Sequence, residues 1–200
     1  RQPQIAYWNL FCLGQALMPL IEDSDTALAA LETYKTVFPA ALDARLNAKL
    51  GLVQVQEGDR ALQQELQELL HTQRIDWTVF WRRFSQAMAE LATVVHAFDP
   101  VRDLFLDRAA WDTWLSRYQQ RIDGLPRQAL AERMLRTNPK FILRNHLGEL
   151  AIRQAQAGQF EMVADLLTVL HSPFDEHPAF EDWAALAPEW ASSIEISCSS

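Results

Sequence analysis

Asn138-Pro139-Lys140-Phe141-Ile142-Leu143-Arg144-Asn145 opens a run that continues through Leu147, Leu150 and Ala151, turns at Gly158 and resumes with Phe160, Val163, Leu167 and Leu170. Steps of three and four are the period of one helix face, so the run predicts two helices joined at Gly158. Asn138 before Pro139 has the residue types of a cap and a first helical position, which starts the first helix there. Arg144-Asn145 then falls in mid-helix beside Leu143 and Leu147, where a polar pair predicts a buried hydrogen-bond anchor for neighbouring backbone ends. Beyond Pro173 the helical spacing stops, and only Ile194-Glu195-Ile196 alternates as a strand would. The expected fold class is all-α with an extended tail.

Upstream the same period recurs. Pro3 suits a first helical turn, and Tyr7, Leu10, Phe11, Gly14, Leu17, Met18 and Ile21 mark one helix ending near Glu22. Asp23 and Ser24 can cap a second, striped by Leu28, Leu31, Tyr34, Phe38, Leu42 and Leu46, with Pro39 expected to break or kink it and Gly51 near its stop. Asp59 is expected to cap Leu62, Leu66, Leu69 and Leu70. Asp76 does the same for Trp77, Phe80, Trp81, Phe84, Met88, Leu91 and Val95, with an interruption expected around Ser85 to Ala89. Asp99-Pro100 marks a boundary. Asp107 caps Trp111, Trp114, Leu115, Tyr118 and Ile122; Gly124 and Pro126 end that helix, and a short one follows through Leu130, Met134 and Leu135. The hairpin around Gly158 looks like one tetratricopeptide unit, but no second copy recurs at the ~34-residue period of such arrays.

Composition excludes several classes of function. Two hundred residues, 49% of them hydrophobic, are enough for one or two domains with a core. A net charge of -8, with no basic tract, opposes nonspecific binding to phosphate backbones and predicts no nucleic-acid partner. No apolar run approaches the ~20 residues that span a bilayer, so no membrane role and a soluble protein are expected. Two distant cysteines are not a disulfide framework, which points to a reducing, cytoplasmic compartment. The chain opens at Arg1 without Met directly before a helix, as a piece of something longer would. Its six glycines are Gly14, Gly51, Gly58, Gly124, Gly148 and Gly158, so no glycine-rich loop is available to cradle a phosphate.

Candidate chemistry is sparse. His171 and His177, with Asp175, Glu176, Glu181 and Asp182, are the one cluster of metal-capable residue types, but the spacing across two prolines does not force convergence and a solvated acidic loop is the expectation. His71, His96 and His146 stand alone. The Trp and Phe stripes, at helical spacing, predict core. Cys12, beside the apolar face of the first helix, is expected to be a small buried hydrophobe. Cys198 differs: three residues from the end among serines, it has no packing role to explain it and is a candidate exposed thiol for disulfide exchange.

These residues together resemble the selenoprotein O family, the kinase-like protein adenylyltransferases. Gln2-Pro3-Gln4-Ile5-Ala6-Tyr7-Trp8-Asn9-Leu10 is similar to that family's Q-P-x-I-A-x-W-N-L segment, and Asn138-Pro139 with Phe141, Leu143, Arg144 and Asn145 to its N-P-x-x-x-L-R-N segment. Pro173-Phe174, Pro188 with Trp190, and Cys198-Ser199-Ser200 follow in order, so the likeness covers essentially the whole chain as the C-terminal part of a longer protein. Departures are Arg1 for a common Asn, His146 for an aromatic and Ser172 for Asn.

The resemblance implies a kinase-like fold that holds ATP in reversed orientation and transfers AMP to Ser, Thr or Tyr hydroxyls of proteins, with ATP and magnesium as cofactors of the intact protein. The family's ATP-binding, magnesium-holding and general-base residues all precede the Q-P-x-I-A segment. No catalytic, cofactor-binding or metal residue is therefore expected in this chain, which alone would not be an enzyme. Residues 1–123 would complete the helical lobe, and 124–200 would form a C-terminal helical extension with its tail. Expected partners are the upstream kinase-like half and the protein substrates. Cys198 stands where vertebrate members hold selenocysteine, which implies a redox role. The alternative is a stand-alone helical protein-interaction module.

Overall fold

A computed structural model describes residues 2–91 and 93–194. Among the described residues the fold is all-α, with no strand. The helices are α1 (Gln2–Ile21), α2 (Ser24–Glu32), α3 (Tyr34–Lys49), α4 (Asp59–Thr72), α5 (Trp77–Glu90), α6 (Asp99–Arg102), α7 (Arg108–Arg121), α8 (Arg127–Thr137), α9 (Asn145–Gln156) and α10 (Glu161–His171), followed by 3-10 turns at Pro178–Ala184 and Glu189–Ser193. No helix among them is long and apolar enough to cross a membrane. The chain divides into two compact units, Arg1–Asn47 and Ala48–Ser200.

In the first unit, the Asp23 carboxylate accepts from the amides of Asp25 and Thr26, so the expected cap forms. The Tyr7 hydroxyl donates to Glu32 at 2.9 Å and that of Tyr34 to the Pro3 carbonyl at 3.0 Å, tying α1 to its neighbours. The helix break falls at Thr33, whose hydroxyl turns back on the Ala30 carbonyl, and not at Pro39, which lies inside α3. One proline near a helix start removes a single hydrogen bond, and the turns on both sides persist. Cys12, expected in a core, is exposed. Neither α1 nor α2 buries any residue fully.

The second unit holds the main core, contributed by α4 to α8. Phe84 is its hub, with ring centroids of Phe80, Phe98, Trp111, Trp114 and Tyr118 all 5.0–5.9 Å away. Two polar tips in this core are aimed at carbonyls: Trp114 Nε1 donates to Leu62 and the Tyr118 hydroxyl to Leu50, both at 2.9 Å. Burial pushes the Tyr118 hydroxyl far above its ordinary pKa, so it stays a donor. Asp76 and Asp107 cap α5 and α7 through the amides of Val79 and Ala110, as their positions predict.

Several local expectations are corrected. Helix α5 runs uninterrupted through Ser85, because that buried hydroxyl bonds the Trp81 carbonyl one turn back at 2.7 Å and so needs no break. Val95, assigned to its face, lies beyond its end and is exposed. Gly58, at φ 95°, precedes α4 in the left-handed region, and Asp59 sits in the first turn with its carboxylate accepting from the Gln56 amide. Gly51 has φ 74° and lies against Leu130, so a side chain would be both strained and crowded there.

The largest correction concerns Asn138. It ends α8 in extended conformation (φ -105°, ψ 101°), and the chain stays non-helical through Arg144, so α9 begins at Asn145. The following proline disfavours helical backbone at Asn138, and its side chain is committed elsewhere. Gly158 (φ 80°) turns α9 into α10 as expected. Phe160, Val163 and Leu167, expected to face inward, are exposed; Met162, Leu166 and Val169 are buried instead. Both sets recur at steps of three and four, so periodicity alone could not choose between them. Ile194 is extended (φ -74°, ψ 115°), while Glu195 and Ile196 lie outside the described residues, as does Cys198.

Candidate functional site

Residues singled out by sequence converge at the non-helical segment between α8 and α9. Asn138 is fully buried: its side-chain oxygen accepts from Lys49 Nζ at 3.0 Å, and its amide donates to the Lys49 carbonyl and the Ser85 hydroxyl, both at 2.9 Å. The Lys49 ammonium also lies 5.2 Å from the Trp81 ring and 5.8 Å from that of Trp77. Burial lowers its pKa. Within the second unit, one amide thus joins Lys49, helix α5 and the end of α8.

Two further cations, Arg82 and Lys140, are almost completely buried. Arg82 donates to the carbonyls of Leu135, Asn138 and Phe174, and at 2.6 Å to Glu176. Lys140 binds Glu176 and Glu181. The Lys140 and Phe141 amides both donate to the Pro173 carbonyl, at 2.8 and 3.1 Å. Burial by itself would depress the Lys140 ammonium, but the two carboxylates override it and raise its pKa; hydrogen bonding from Lys140 lowers that of Glu176. Two members of the acidic segment after His171, Glu176 and Glu181, thus pair with cations while their side chains stay more than half exposed. His177 bonds Ser172 at 3.1 Å and meets Phe141 edge-on, while His171, His71 and His96 are exposed. Among the described residues no three His, Cys, Asp or Glu are grouped to hold a metal ion.

Arg144 is buried, as expected, but it precedes the helix and bonds a carboxylate, not the backbone ends that the sequence reading assigned to it. Extended and buried just before α9, it donates to both oxygens of Asp76, at 2.8 and 3.2 Å, while Asn145 is exposed. Burial would raise the Asp76 carboxyl, but the Arg144 guanidinium and the Val79 amide outweigh it and hold the group below its ordinary value. A depressed carboxylate stabilises the fold fully above its unfolded value near pH 4, and the contribution is lost as pH falls through the folded value. Comparison of Asp76→Asn with the parent by denaturant titration should therefore show an advantage for the parent that is constant near neutrality and shrinks below about pH 4. An advantage unchanged down to about pH 2 would contradict the pairing. His146, buried beside Trp190 at 6.0 Å, has its pKa lowered by burial and by Arg144.

Sequence reading missed Arg82, Lys140 and Lys49. The available signal was placement: Arg82 sits inside the aromatic run of α5, where a cation must bring a partner.

A second feature belongs to the first unit alone. Its three helices line an open apolar groove of about 900 Å³, walled by Leu17, Ile21, Leu28, Leu31, Tyr34 and Phe38. In the same unit Trp8 and Leu20 are 61% and 81% exposed, large apolar side chains left on a surface.

The family model described as "Protein adenylyltransferase SelO" matches residues 1–171. The chain belongs to the SelO family. Relatives named "Protein nucleotidyltransferase YdiU" align along all of it: one from Variovorax paradoxus is 54% identical over 200 residues, and one from Albidiferax ferrireducens 53% over 204. A third, from Ralstonia nicotianae, is 46% identical over 219 residues. The chain spans about 40% of the length of these SelO relatives.

Proposed function

We propose that these 200 residues serve as the C-terminal part of a protein adenylyltransferase, with the ATP site in residues outside them. In the whole protein, a Ser, Thr or Tyr hydroxyl of a protein substrate bonds to the α-phosphorus of ATP, and pyrophosphate leaves. ATP and magnesium are the cofactors of that intact protein. The observation that carries this reading is the family membership of a chain covering about 40% of its relatives' length. The apolar groove of α1 to α3 supports it, because the upstream kinase-like half is the natural cover for such a face. Residues 1–123 then contribute to the kinase-like lobe and 124–200 to the extension. The protein acts in the cytoplasm on other proteins, not on nucleic acid or membranes.

Titration calorimetry of the 200-residue chain with ATP and magnesium should show no binding, and the full-length protein should bind ATP and transfer labelled AMP to protein. Micromolar affinity in the short chain, or absence of transfer by the long one, would overturn the reading. A helical interaction module is the rival; it predicts a short chain that stays monomeric in solution, whereas the transferase reading predicts one that associates through its uncovered groove. Cys198 is assigned a redox role, bridging to an upstream cysteine. Peptide mapping of oxidised protein tests this, and a Cys198→Ser variant with an unchanged redox response of AMP transfer would sink it.

A further inference from the structure

We propose that residues 173–184 form a releasable strap, fastened to the second unit by a charge clasp of Arg82 and Lys140 on the body and Glu176 and Glu181 on the strap. The attachment is polar to an unusual degree. No residue between 172 and 194 is fully buried, and the segment carries only 3-10 turns after α10. Its fastenings are the two amides on the Pro173 carbonyl, the Arg82 bond to the Phe174 carbonyl at 3.1 Å, and the two carboxylates. Beneath it lie Phe141, covered by His177, and the small cluster of Leu147, Ala151, Met162 and Leu166, on which Trp183 packs.

The clasp is asymmetric in exposure. The Arg82 and Lys140 side chains are 8% and 5% exposed, whereas those of Glu176 and Glu181 are 55% and 63% exposed. When the strap lifts, the carboxylates regain water at little cost. Arg82 keeps its body-side carbonyls, Leu135 and Asn138, so the cation stays where it can re-engage. The hinge is Ser172, which ends α10 at φ -130°, ψ 63°. The strap therefore opens as a unit while the aromatic core stays closed, as a region with few buried apolar contacts does.

Hydrogen exchange followed by mass spectrometry on the full natural protein tests this. In the Glu176→Gln/Glu181→Gln variant, exchange of the Lys140 and Phe141 amides and of residues 173–184 should rise roughly tenfold, while α5 and α7 keep the parent's protection. In a Lys140→Met background, Glu181→Gln alone should add nothing, because its partner is gone. Unchanged exchange in the double variant overturns the proposal, as does a rise shared equally by α5 and α7, or an effect of Glu181→Gln that survives loss of Lys140.

Discussion

Replacing Phe84 by alanine should destabilise the second unit by about 3–5 kcal/mol, among the largest losses a single substitution here can produce. The ring is fully buried and meets five other aromatic rings, from α5, α7 and the segment before α6. Trp111 and Trp114 on α7 and Phe80 on α5 are themselves locked by further ring contacts, so the surroundings cannot collapse into the space. Denaturant unfolding followed by tryptophan emission measures the loss. A change under about 1 kcal/mol would mean that the hub relaxes and is not the keystone described.

Asp59→Ala should cost a comparable amount, about 3–5 kcal/mol, for an electrostatic reason. The Asp59 side chain is 2% exposed and that of Arg121 11%. Arg121 Nε and Nη2 reach the two carboxylate oxygens at 2.6 and 3.1 Å, and Nη2 also holds the Gln54 carbonyl at 2.7 Å. Removing the carboxylate strands a nearly buried guanidinium and frees the Gln56 amide, which undoes the loop before α4 as well as its first turn. In a double-mutant cycle, Asp59→Ala/Arg121→Met should recover part of the stability lost in Asp59→Ala, because the stranded charge is gone. If the double variant is as unstable as the sum of the singles, the pair is not coupled.

The core was legible because its carriers are local and periodic. Trp111, Trp114 and Tyr118 recur at helical spacing behind an aspartate cap, and both cap and stripe form as the pattern implies. What periodicity could not settle was which of two apolar registers on α10 turns inward, since Met162 and Val163 each start one. The start of α9 was misread for a related reason. Asn-Pro suits a helix start locally, but the Asn138 side chain is claimed by Lys49 and Ser85 from 89 and 53 residues away, and no local rule sees that. The polar junction was the least legible part. Glu176 and Glu181 look like a solvated acidic loop until the fold brings Lys140 and Arg82 beneath them.

The rings of Phe105, Trp111, Trp114 and Tyr118 follow one another at centroid spacings of 4.8, 5.4 and 5.5 Å, with interplanar angles of only 15°, 27° and 10°. Chromophores held that close and that nearly parallel, in a chiral frame, give the near-ultraviolet circular dichroism that disappears when side chains lose fixed packing while helices persist. Three of the four lie on α7. This protein thus carries an optical gauge of tertiary order at the centre of its second unit, separable from the far-ultraviolet signal to which every helix contributes.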